Sequence, residues 1–160
     1  MEFIQLFEMQ RQLDRFIEQT QNIQHDVFQE KGLALLVELG ELANETRCFK
    51  FWSTKGPSER PVILEEFVDS IHFMLSLGNM RNLSLQAWPE SSQKKDLTAA
   101  FIEATSAVLT FLKEQTEEAY AAVWNIYSVI AFNLGFTVVD ILDAYVSKNE
   151  KNYERQRTGY

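Results

Sequence analysis

Between Leu33 and Lys55 the chain reads LALLVELGELANETRCFKFWSTK, an apolar helical run with Glu38 and Glu41 set directly into it. On a helix of about 3.6 residues per turn, residues three and four apart share a face, so Ala34, Leu35, Glu38, Glu41, Leu42 and Glu45 line one side. An ionised carboxylate on a dry face costs several kcal/mol unless a cation or hydrogen-bond donors compensate it. The pattern therefore demands a partner, and a metal ion is the first candidate.

A second stretch supplies the other half. In Val62–Leu77, VILEEFVDSIHFMLSL, Glu66 and Asp69 are again three apart, with Phe73 a turn further on the same face and His72 at its edge. Ile63, Leu64, Phe67, Val68, Ile71, Met74 and Leu75 cover most of the remaining circumference, so this helix also reads as largely buried. If the two helices pack antiparallel, Glu38, Glu41, Glu66 and Asp69 surround one cavity. Oxygen ligands of this kind suit Mg²⁺ or Mn²⁺ rather than zinc, which favours His and Cys. Either pair alone reads more readily as a solvated helix face; two pairs inside apolar runs favour a site.

The 160 residues fit one domain spanning 1–160, and with only 6 Gly and 3 Pro they favour long helices over a many-turned β fold. The expected class is all-α, a bundle of five to six helices. No stretch of about 18 apolar residues occurs and the start lacks a secretory pattern, so a soluble cytoplasmic protein with no membrane association is expected. Cys48, the single cysteine, reads as a packed small residue. The net charge of −8 argues against duplex nucleic acid as a partner. The charge is uneven: Lys148–Tyr160 holds four basic and two acidic residues, a net +2, which leaves −10 elsewhere. An acidic body with a basic tail suits a small polyanion whose metal ions screen the carboxylates.

In chain order, Phe3 to about Thr20 reads as an amphipathic helix with Gln10 inside its apolar stripe, where a buried amide either satisfies an internal group or reads a ligand edge. Asp26 is the expected cap of a second helix running to about Phe49, whose Gly40 offers a close backbone approach beside the carboxylates. Lys50–Arg60 reads as a loop that sets Phe51 and Trp52 between Lys50 and Lys55, aromatic faces for a base and cations for phosphate. After the turn-rich Gly78–Gln93 segment, with a cap expected at Ser91 or Ser92, helices follow over about Asp96–Glu114 and Glu117–Leu134. The latter is nearly apolar all round, which suggests burial inside an oligomer. Thr137 and Asp140 form a capping pattern for a last helix toward Arg157, on which Lys148, Asn152 and Arg155 share a face beside Lys151, a candidate phosphate site.

ELGELANETRCFKFW, then EEFVDSIHF, then the terminal KNEKNYERQRTGY resemble the dimeric all-α dUTP pyrophosphatases, within the wider all-α nucleoside triphosphate pyrophosphatases. The carboxylate pattern marks only the wider group. The narrower resemblance rests on the F-K-x-W loop, the His-Phe after Asp69, the M-Q of the first helix and the K-N-x-x-N-x-x-R-Q-x-x-G-Y ending, features running from Met9 to Tyr160. It implies a helical homodimer that hydrolyses dUTP to dUMP and pyrophosphate with Mg²⁺, more than one ion per site. Glu38, Glu41, Glu66 and Asp69 would hold the metals, and Glu38 ahead of Glu41 would deprotonate the attacking water. Gln10, Trp52, His72 and Phe73 would form the uracil and deoxyribose pocket; Lys148, Asn152 and Arg155, with Lys50 and Lys151, would meet the phosphates. The short Gly78–Gln93 connection departs from some longer relatives, so any interaction surface they carry there is not implied. Competing readings are a related pyrophosphatase acting on dCTP or a modified deoxynucleotide, and a non-catalytic helical binding protein.

Overall fold

The spacing read from the sequence becomes six helices and no strands in the structure, a computed structural model that describes residues 1–160. They are α1 (Gln5–Thr20), α2 (Phe28–Thr46), α3 (Arg60–Met80), α4 (Leu97–Glu114), α5 (Glu117–Leu134) and α6 (Val138–Arg157). Their ends follow local chemistry. Asp26 stabilises the start of α2 from just outside it, accepting from the Phe28 amide at 2.8 Å. At the other end α2 stops before Phe49, because Arg47 turns into the left-handed region at φ 56°. Asp96, rather than Ser91 or Ser92, caps α4 by accepting from Ala99 N. Thr137 and Asp140 close the expected capping box on α6.

The helix pair α2 and α3 runs antiparallel, as Lys31 meets Ser76 near one end and Glu45 meets Ser58 near the other. Helix α3 also packs on α1 and α6, and α2 on α4, so the acidic segments of α2 and α3 lie within the bundle. Helix α5 is apolar all round for a different reason from the one its sequence suggested. Trp124, Tyr127 and Ile130 are fully buried within this single chain. Phe3 and Trp88 meet the Trp124 ring edge-on at 5.2 and 6.0 Å, Phe67 of α3 lies 5.6 Å from Tyr127, and Phe111 of α4 lies 5.0 Å from Tyr120. Most of the apolar circumference of α5 is thus covered by the chain's own core, with Phe132 the one large apolar side chain of the helix left exposed.

Glycine matters at one close approach. A Cβ on Gly78 would come within 2.1 Å of the Tyr120 hydroxyl, which donates to the Met74 carbonyl at 2.7 Å and ties α5 to α3. Around Gly40, by contrast, the space is open to 4 Å, so it serves no close approach to the carboxylates. No single helix is long and apolar enough to cross a membrane.

Candidate active site

Because α2 and α3 are antiparallel, the acidic turn of one meets that of the other within the bundle. Glu38, Glu66 and Asp69 each bring a carboxylate oxygen to within 4.8 Å of the others. Glu38 is the most constrained: its Oε2 is buried without any hydrogen-bond partner. Burial, then a hydrogen bond to Glu41, then the charges of Asp69, Glu41 and Glu66 push its pKa up to about 8. Burial likewise raises Glu66, with the Asp69 and Glu41 charges adding to it. Asp69 is raised by burial, although Lys148 opposes the shift. Glu41 is exposed at the rim and reaches the cluster through Glu38.

Three crowded carboxylates whose protonated forms are favoured, one with an orphaned buried oxygen, form a donor set suited to a hard divalent cation. Helix α6 supplies the one buried cation beside them. Lys148 Nζ lies 3.0 Å from both Glu65 and Asp69. Burial works against the Lys148 charge, but these carboxylates outweigh it and raise the lysine pKa, while its hydrogen bond lowers that of Glu65.

A cavity of about 500 Å³ opens beside the cluster. Glu38, Asp69 and Lys148 border one part, and Asn152, Arg155, Gln156 and Tyr160 of the chain's end add donors and an aromatic ring. The Arg155 guanidinium lies 5.0 Å over the Tyr160 ring. Gln10, His72 and Phe73 line the same cavity. His72 is buried, and its pKa is pushed down to about 3 by burial and then by the Lys148 charge, so the ring is neutral.

Trp52, Lys50 and Lys151 are not gathered into the cavity. The Lys50–Arg60 loop leaves Phe51 94% and Trp52 64% exposed, the two rings packing edge-on at 5.2 Å. Lys50 lies 5.8 Å from the Phe49 ring, and Lys151 reaches Glu65 at 3.5 Å. Conversely, Asp14, Lys31, Ser76, Glu65 and Tyr145 escaped the sequence reading. Asp14 and Ser76 each stand four residues after a candidate, Gln10 and His72, and so on the same helix face. That spacing was the available signal.

An all-α bundle that gathers a carboxylate cluster and a basic helix end around one cavity has the groups that a divalent cation and a polyphosphate require. Residues 2–160 match the model of the dUTPase family, and no curated protein matches the chain. The chain belongs to the family of dimeric all-α dUTPases and is an enzyme that hydrolyses dUTP.

Proposed function

We propose that the chain acts as a cytoplasmic homodimer that uses Mg²⁺, with Mn²⁺ as a substitute, to hydrolyse dUTP to dUMP and pyrophosphate. It would thereby keep uracil out of the deoxynucleotide pool and supply dUMP. One observation supports this reading: Glu38 and Asp69 of the carboxylate cluster, the Lys148–Arg155 end of α6 and the Gln10–His72–Phe73 wall border one cavity. Glu38, Glu66 and Asp69 would hold the first ion, with Glu41 at the rim completing a site for more than one. A bound divalent cation neutralises triphosphate charge and makes a bound water a stronger acid.

The chain's own residues do the rest. Glu38, relieved of repulsion, is ionised and its Oε2 accepts a proton from the attacking water. Lys148, Asn152 and Arg155 hold and orient phosphate oxygens, while Phe73 packs on the deoxyribose and leaves no room for a 2′-hydroxyl. Trp52 and Lys50 would approach the ligand from their loop, and Lys151 from the outer side of α6. With α5 buried, the apolar surface left for a second copy includes Leu33 and Val37 on α2 and Ile102 and Leu109 on α4, all exposed.

The test is pyrophosphate release from dUTP, dCTP, dTTP and UTP, with Mg²⁺ and with EDTA. Mg²⁺-dependent turnover with dUTP strongly preferred is expected. Preference for dCTP would replace the base assignment, and absence of turnover would overturn the whole reading in favour of a binding protein.

A further inference from the structure

Gln10 is buried, and both the nitrogen and the oxygen of its amide find partners within the chain. Its Nε2 donates to Asp14 Oδ1 at 2.9 Å, while its Oε1 accepts from the Tyr145 hydroxyl at 2.8 Å and faces His72 Nδ1 at 2.7 Å. Asp14 itself accepts from the Ser76 hydroxyl at 2.6 Å, and Ser76 Oγ accepts from Lys31 Nζ at 2.7 Å. Each partner dictates the next. Lys31 has no acceptor, so Ser76 receives from it and donates onward to Asp14. An ionised Asp14 only accepts, so Gln10 must turn its NH₂ toward it. The Gln10 carbonyl therefore faces Tyr145 and His72, and His72 must carry its proton on Nδ1.

The other ring nitrogen is then bare. His72 Nε2 is buried without a partner in the chain, His72 is only 5% exposed, and the residue lines the cavity. Stacking on Tyr145 at 4.2 Å and 21° holds the ring in place. A lone pair kept dry and unmatched in a ligand cavity calls for a donor from the ligand.

We propose that Asp14, acting with Tyr145 through Gln10, fixes the His72 tautomer so that Nε2 accepts from the imide N3–H of uracil and rejects cytosine, whose N3 is itself an acceptor. The proposal rests on the nucleotide reading of the cavity and deepens it. A hydroxyl can rotate to suit either tautomer, whereas an imide N–H cannot. A relay that dictates the tautomer thus has consequence for a fixed donor, which makes the base rather than the sugar hydroxyl its partner. Asp14 and Tyr145 are positioning residues here, since they act through Gln10.

The relay predicts an inversion. In Asp14→Asn, the side-chain oxygen stays with Ser76, so the new NH₂ faces Gln10, the Gln10 amide turns over, and its NH₂ requires an acceptor at His72 Nδ1. The proton moves to Nε2. The chain has 2 His, so a His25→Gln background leaves His72 as the sole imidazole for ¹⁵N NMR, without metal or nucleotide. The Nδ1–H tautomer is expected in that background and the Nε2–H tautomer once Asp14→Asn is added. An Nε2–H or mixed tautomer before the change, or an unaltered one after it, overturns the relay.

Calorimetry with dUMP and dCMP in Mg²⁺ tests the consequence: Asp14→Asn should weaken dUMP about tenfold, one hydrogen bond's worth, and tighten dCMP. An unchanged dUMP to dCMP ratio overturns the base assignment. The spectrum of the protein bearing only His25→Gln holds even if Asp14→Asn unfolds the chain. Because the spectra need neither nucleotide nor turnover, failure of the relay and failure of the dUTPase reading remain separable.

Discussion

At neutral pH Glu38 of the metal-free protein holds a proton, since burial, Glu41 and the Asp69 and Glu66 charges raise its pKa to about 8. In the unfolded chain the same group ionises near 4.5, the ordinary value for a glutamate. Between these values the folded state binds more protons than the unfolded state. The stability this contributes is full below about 4.5 and is lost as pH rises toward about 8. Calorimetric melting in EDTA should therefore show Tm falling over that window. Glu38→Gln should flatten the fall and raise Tm at pH 8 by roughly 2–4 °C. A cation that binds the ionised cluster offsets the penalty, so the Tm gain from Mg²⁺ should be larger at pH 8 than at pH 6. Asp69→Asn removes one carboxylate of the cluster at nearly constant volume. It should leave helicity unchanged and lower kcat/KM about 10³-fold, as expected for losing several kcal/mol of metal-assisted catalysis; steady-state kinetics across Mg²⁺ concentration measures it.

At the scale of the elements, the contact between α3 and α5 turns on Gly78. A methyl group there meets the Tyr120 hydroxyl at 2.1 Å and the Leu83 carbonyl at 2.8 Å, and the backbone oxygen cannot step aside as a side chain could. Gly78→Ala should cost about 1–3 kcal/mol in urea unfolding, whereas Gly40→Ala, in open space within α2, should stabilise by up to about 1 kcal/mol. Sequence alone did not distinguish the two, because helical spacing identifies a face without saying what covers it. Glu38, Glu66 and Asp69 were legible for the opposite reason. Acidic residues at turn spacing within apolar runs violate the pattern of an ordinary core helix, and that violation survives without a structure. Asp14, Ser76 and Lys31 break no pattern on their own helices. Their meaning lies in contacts across 45 to 62 residues of chain, which periodicity does not carry. The apolar circumference of α5 misled in the same way: a buried helix looks alike whether its cover comes from the same chain or a second one.

On the scale of the whole molecule, the chain's two ends meet over the cavity. Phe16 of α1 packs on Tyr153 of α6 at 5.1 Å, and Gln21 donates to Gln156 at 2.9 Å, which places the last turns of α6 across the opening. Asn152, Arg155, Gln156 and Tyr160 thereby line the same cavity as Glu38 and Asp69, which come from the middle of the sequence. Lys148, one turn earlier, sits deeper and is already held by Glu65 and Asp69. Deleting Asn152–Tyr160 separates these two layers. The core helices lose little, since this segment is half-buried at most, and Lys148 with its carboxylates stays in place. Far-UV circular dichroism and the Tm gain from Mg²⁺ should therefore persist in the truncated protein. Donors that engage the triphosphate as charge develops contribute to the chemical step, whereas donors that bind substrate and transition state alike affect mainly KM. In the proposed mechanism, closure of this segment over the phosphates would also exclude water from the cleavage site. The truncation should lower kcat/KM for dUTP by at least about a hundredfold, with kcat itself reduced. Full activity would make the basic tail a helix end with charges favourable to its dipole and nothing more. A rise in KM at constant kcat would assign it to binding alone.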